Sequence, residues 1–105
     1  MLEVRKTDEY ERWIRSVKDV RGVVAITRQV DRISSYGDYV GDWKRIGDLV
    51  EVRIKGKGPG YRLYLSIEGS SILLLLIGGD KSRQSDDIKK AHALLTSWRD
   101  ENEDV

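Results

Sequence analysis

Four cationic side chains, Arg53, Lys55, Arg62 and Lys81, stand beside the ends of predicted adjacent strands. Cleavage of a phosphodiester next to a 2′-hydroxyl needs positive charge at the scissile phosphate and a proton donor for the departing 5′ oxygen. Arginine and lysine supply both. The competing reading of the same residues is a solvated strand face whose lysines keep a sheet edge from aggregating. Tyr64 shares the predicted face of Arg62 and offers a ring on which a base could stack, worth about 1 to 3 kcal/mol. Lys44, Arg45 and Lys57 extend the positive field on one side of the cluster, and Arg83 and Gln84 extend the polar surface beyond Lys81.

His92 is the only histidine, so a paired-histidine mechanism cannot be built within one chain. Its spacing from Ile88 and Leu95 suits a packing role. Asp86 and Asp87 at a helix start, with one histidine, make no metal-ligand set, and neither metal nor cofactor is expected. Gly56 to Gly60 lacks the strand-to-helix setting of a phosphate-binding loop and reads as a hairpin turn.

The elements that must position these residues follow from periodicity. Leu2 and Val4 alternate with Glu3 and Arg5 as a short strand. Asp8, with Glu11 three residues on, reads as a capping box for a helix carrying Tyr10, Trp13, Ile14 and Val17. After Val20-Arg21-Gly22 a second helix presents Val23, Ile26, Val30 and Ile33, with Gly37 as its C-terminal cap. From Trp43 the period changes to two. Val50, Val52 and Ile54 take one strand face, and Glu51, Arg53 and Lys55 the other. The returning strand sets Tyr61, Leu63, Leu65 and Ile67 opposite Arg62 and Tyr64. Ile72 to Ile77 has no alternation and suits a central strand covered on both faces. Beyond Gly78-Gly79, Ser85 reads as an N-cap, Asp86 and Asp87 complement the helix dipole, and Ile88, Ala91, Leu95 and Trp98 form a packing stripe. The predicted order is β-α-α-β-β-β-β-α, an α+β fold with a small antiparallel-rich sheet packed against two N-terminal helices and followed by a C-terminal helix.

A length of 105 residues fits one domain, read as residues 1–99 with an acidic mobile tail over 100–105. The absence of cysteine excludes disulfides and thiolate metal sites and points to a reducing compartment, the cytoplasm. The apolar run from Ile72 to Ile77 is far shorter than the roughly 20 residues a bilayer span needs, so no membrane association is expected. Net charge is only +1, but the mean conceals a gradient. Without Asp100, Glu101, Glu103 and Asp104 the body holds 19 basic against 14 acidic side chains. A local positive field of this kind concentrates phosphates even on a nearly neutral protein.

The run Glu51-Val52-Arg53-Ile54, then Gly58-Pro59-Gly60-Tyr61-Arg62-Leu63-Tyr64, Leu74-Leu75-Leu76, Gly78-Gly79-Asp80-Lys81-Ser82, Gln84 and Asp87-Ile88 resembles the addiction-module killer proteins. These are HigB-like toxins of the RelE/ParE superfamily. The resemblance extends from Leu2 to about Leu95. It implies a type II toxin, a metal-independent endoribonuclease cleaving mRNA, expected on the ribosome and neutralised by a cognate antitoxin. Carried over by position, Arg53 and Lys55 match the cationic pair before the glycine-rich loop, Arg62 the phosphate-binding arginine, and Lys81 the cation after the last strand. One departure stands out: some mRNA-cleaving relatives carry a tyrosine where this chain has Asp87 at the nearest position. Lys55, Asp87 and a water held by Gln84 all stay open as the base for the 2′-hydroxyl. Two rival readings share the fold, a ParE-like inhibitor of DNA gyrase without nuclease activity and a non-catalytic RNA-binding module.

Overall fold

The computed structural model describes residues 1–56 and 58–102. Lys57 and the Glu103 and Asp104 part of the expected tail lie outside the described residues. The chain runs β1 (Glu3–Lys6), α1 (Asp8–Ser16), α2 (Val20–Tyr36), β2 (Asp42–Ile46), β3 (Leu49–Arg53), β4 (Arg62–Glu68), β5 (Ile72–Gly79), one 3-10 turn (Lys81–Arg83) and α3 (Gln84–Glu101). This is an α+β fold with the expected element order. The five strands form one sheet in the order β1-β5-β4-β3-β2, with β1 parallel to β5 and the other pairs antiparallel.

Period-two alternation divides the sheet into two buried faces. Val50, Val52, Leu63, Leu65, Leu73 and Leu75 point toward Ile26, Val30 and Ile33 of α2 and Tyr10 of α1. Leu49, Tyr64, Leu74 and Leu76 point the other way, against Ala91 and Leu95 of α3. Burying a side chain of this size contributes about 1.5 to 3 kcal/mol, so the central strands are held from both sides. Leu2 ties the N-terminus to α2: its N–H donates to the Ser34 carbonyl at 2.8 Å, and the Ser34 hydroxyl donates back at 2.7 Å.

Four boundaries differ from the sequence reading. Helix α2 already includes Val20, Arg21 and Gly22, residues expected to precede it. Thr7, rather than Asp8, caps α1, its Oγ1 accepting the Tyr10 N–H at 2.9 Å. Thr7 wins because its hydroxyl is also fixed by donating to the Leu76 carbonyl. Asp80 caps the 3-10 turn by accepting from the Ser82 N–H, so the helical path begins before Ser85. At the far end α3 includes Asp100 and Glu101, and the Asn102 N–H closes on the Trp98 and Arg99 carbonyls. The two acidic residues therefore belong to the last helical turn and not to a separate tail. Gly37 does cap α2 as expected, in the left-handed region at φ 84°. No helix among the described residues is long and apolar enough to cross a membrane.

Candidate functional site

The site is organised by a residue to which the sequence reading gave no role. Glu51 lies on β3 and is fully buried. Its Oε2 accepts from the Tyr64 hydroxyl at 3.0 Å and from Gln84 Nε2 at 2.7 Å. Its Oε1 faces three cations, Lys44 Nζ at 3.7 Å, Arg53 Nε at 3.7 Å and Arg62 Nε at 3.8 Å. These separations are ion pairs without a hydrogen bond, and both Glu51 Oε1 and Arg62 Nε are buried and lack a hydrogen-bond partner. One carboxylate thus holds a fan of positive charge contributed by three strands.

Strand register explains the convergence. Lys44 opposes Glu51 on one side and Tyr64 opposes it on the other, while Arg53 opposes Arg62 two pairs along, on the same face. Arg62 in turn opposes Gly79 on β5. Asp87 of α3 lies directly on Gly79: a Cβ built there would fall 1.9 Å from Asp87 Oδ2. Arg53, Arg62 and Gly79 therefore form one row across the end of the sheet, with strand spacing of about 4.8 Å between neighbours, and the Asp87 carboxyl lies over its Gly79 end. Lys81 stands beside the same row. Its N–H approaches the Pro59 carbonyl at 3.4 Å, and a Cβ on Gly60 would lie 3.3 Å from Arg62 Nη1 and 3.5 Å from Lys81 Cβ. Arg62 Nη1 donates to the Gly60 carbonyl at 2.9 Å, which fixes the guanidinium plane.

Exposure sorts these groups by role. Arg53, Lys55 and Lys81 reach solvent, whereas Arg62 and Asp87 are only 8% and 7% exposed. Asp87 Oδ2 is buried without a hydrogen-bond partner. Burial pushes its pKa above the usual aspartate value; Arg83 opposes this, Asp80 and Asp86 add to it, and Lys90 opposes it. Asp87 and Arg83 line a cleft of about 340 Å³ with Trp13 and Gly78. Arg53 and Lys55 instead border the groove beside α2. Of the five expected catalytic residues, Arg53, Arg62, Lys81 and Asp87 thus lie around one end of the sheet, whereas Lys55 lines the groove beside α2.

Several expected binding residues fall elsewhere. Tyr64 is 1% exposed and cannot offer a face to a base. The period-two pattern put it on the Arg62 face correctly, but α3 covers that face, and the ring becomes core while its hydroxyl serves Glu51. Burial and the adjacent carboxylate raise its pKa. Arg45 opposes Val50 on the α2 side of the sheet and lies over the Tyr39 ring at 5.8 Å, away from Glu51. Gln84 spends its amide on Glu51. Lys44 and Arg83 remain exposed near the row, and Lys57 lies outside the described residues. A signal for Glu51 was present: Leu49 shares its face, and an apolar neighbour two residues away marks that face as covered.

No family model and no solved structure matches the chain. It is similar to an uncharacterized protein of Haemophilus influenzae, 35% identical over 94 residues that cover 89% of this chain and 92% of the relative. The chain belongs to one family with that protein.

Proposed function

We propose that this protein is the toxin of a type II toxin–antitoxin module, a cytoplasmic endoribonuclease that cleaves mRNA on the ribosome and is neutralised by a cognate antitoxin. The observation that carries the reading is the row of Arg53, Arg62 and Gly79 across the sheet end, with Asp87 over its Gly79 end and Lys81 beside it. Arg62, fixed by the Gly60 carbonyl and opposed by Glu51, presents its remaining N–H groups to the scissile phosphate. Asp87, whose pKa is raised by burial, takes the proton of the attacking 2′-hydroxyl. Lys81 protonates the departing 5′ oxygen, leaving a 2′,3′-cyclic phosphate. Arg53 and Lys55 stabilise charge on the phosphate as it develops.

Lys81→Ala tests this most directly, because Lys81 is exposed and its side chain is expected to be dispensable for folding. Arg62→Lys is its companion: it keeps a charge opposite Glu51 and loses the planar fork. Each should slow cleavage by roughly two to three orders of magnitude, the equivalent of about 2 to 4 kcal/mol. Primer extension on mRNA from a translating extract reads the cuts, beside a gyrase supercoiling assay. Cleavage by wild type and its loss in folded Lys81→Ala support the proposal. Absent cleavage with inhibited supercoiling would replace it with the gyrase reading.

A further inference from the structure

A second basic feature adjoins the row and shares Arg53 with it. Along α2, Arg21, Ala25, Gln29 and Arg32 recur on one flank, and that flank faces the end of β3 and the loop after it. Between them runs a groove of about 650 Å³, bordered by Arg32, Arg53 and Lys55, which continues into a depression of about 190 Å³ bordered by Arg21, Gly58 and Gly60. The two share Ala25, Ile54 and Lys55. Asp42 is the one acidic side chain lining them among the described residues.

The groove is a built feature of the fold. Gln29 Nε2 donates to the Val40 carbonyl at 2.7 Å and ties the turn before β2 to α2, while Arg32 Nη1 donates to Gln29 Oε1 at 3.1 Å. At the other end, Gly60 is shared: one side borders the depression, and the other abuts Arg62 and Lys81. From Arg21 to Arg32 the helix spans about 16 Å.

We infer that this groove carries the single-stranded RNA flanking the scissile phosphate, with Arg21 and Arg32 contacting backbone phosphates. The inference rests on the ribonuclease reading of the Arg62 row. Three observations favour RNA over an acidic peptide. The groove leads into the row at Gly60, its cations are spaced along a line, and the larger part of it is lined mainly by polar and charged side chains, with Ala25 and Ile54 its apolar members and the Tyr61 ring, at the Gly60 end, a surface on which a base can stack.

The test is binding of a 2′-O-methyl oligoribonucleotide, which cannot be cleaved, to the full chain across a salt series. Each phosphate contact on a single strand contributes about 0.7 to the slope of log affinity against log salt, so Arg21→Ala/Arg32→Ala should flatten it by about 1.4. Arg21→Lys/Arg32→Lys, which keeps both charges, should restore it. A dinucleotide, too short to enter the groove from the row, should bind the wild type and the alanine pair equally. An unchanged slope with the long oligonucleotide in a folded alanine pair overturns the inference, as does displacement of no RNA by an acidic peptide that nonetheless binds in the groove. mRNA cleavage measured on the same proteins separates the two ideas. Wild-type cleavage with an unchanged slope sinks only the groove, and a slope change without wild-type cleavage sinks the ribonuclease reading while leaving an RNA groove.

Discussion

Glu51 Oε1 and Arg62 Nε face each other at 3.8 Å in the protein interior, and neither makes a hydrogen bond. A buried pair in this geometry is a poor source of stability, because desolvation offsets most of the Coulomb attraction. Its effect is to fix where Arg62 stands. Removing only one member leaves a buried charge unopposed. Glu51→Ala should therefore cost about 3 to 5 kcal/mol of unfolding free energy, and Glu51→Leu/Arg62→Leu should recover a large part of it. Urea denaturation of the single and double variants measures both. A double variant no more stable than Glu51→Ala would show that the carboxylate acts through Tyr64 and Gln84 instead.

Tyr64 provides that second comparison. Its hydroxyl donates to Glu51 Oε2 at 3.0 Å, and a hydrogen bond to a charged group contributes about 1.5 to 3 kcal/mol. Tyr64→Phe should lower stability by that amount. It keeps the ring, so RNA affinity should be unchanged once the variant is folded. Chemical denaturation and oligonucleotide binding read the two effects separately, and unaltered stability would contradict the buried role.

The contrast between Tyr64 and Arg53 shows what was legible in the sequence. Alternation placed Tyr64, Arg62, Arg53 and Glu51 on one side of the sheet, and the element order followed from the changes of period. Alternation assigns a face; it does not say what covers that face. The stripe Ile88, Ala91, Leu95 needed an apolar surface, and the sheet had one free side left after α1 and α2 were placed. Once α3 occupies that side, Tyr64 and Glu51 become interior while Arg53, nearer the strand end, stays half in solvent. The α2 groove was less visible still, because its cations come from a helix and from the end of β3 and the residues after it, far apart in sequence, and meet only once α2 packs on the sheet.

Gly78 and Gly79 carry the site by lacking side chains. A Cβ on Gly78 would fall 2.2 Å from the Trp13 ring, on the α1 side, and one on Gly79 would fall 1.9 Å from Asp87 Oδ2, on the α3 side. Overpacking of this kind costs about 1 to 3 kcal/mol. Gly78→Ala should destabilise more than Gly79→Ala, because an indole is rigid while a carboxyl can rotate away. Gly79→Ala should instead lower cleavage by displacing Asp87. Thermal melts and the mRNA assay distinguish the two, and equal melting losses with equal activity would refute the division.

The pH dependence of stability isolates Asp87. Its folded pKa lies above its unfolded value, chiefly through burial, so the folded state binds the proton more tightly than the unfolded chain. The resulting contribution is fully present below the unfolded value of about 3.9 and is lost as pH rises through the folded value. At neutral pH the ionised carboxylate, with Oδ2 buried and unpartnered, is therefore a net cost. Asp87→Asn removes that charge permanently while keeping the shape. It should be more stable than wild type at pH 7, with the difference shrinking through the carboxylate range and vanishing below about pH 4. Asp80 and Asp86 act on the Asp87 charge in one direction and Arg83 and Lys90 in the other, so these contributions oppose one another and leave burial as the chief effect the substitution removes. Helix α3 keeps Asp86 in its first turn, so the favourable interaction of an acid with the helix N-terminus persists. Urea denaturation of both proteins from pH 3 to pH 8 supplies the curves. A pH-independent difference would mean that Asp87 is not held in its proton-binding state by the fold, and its role as the base would fall with it.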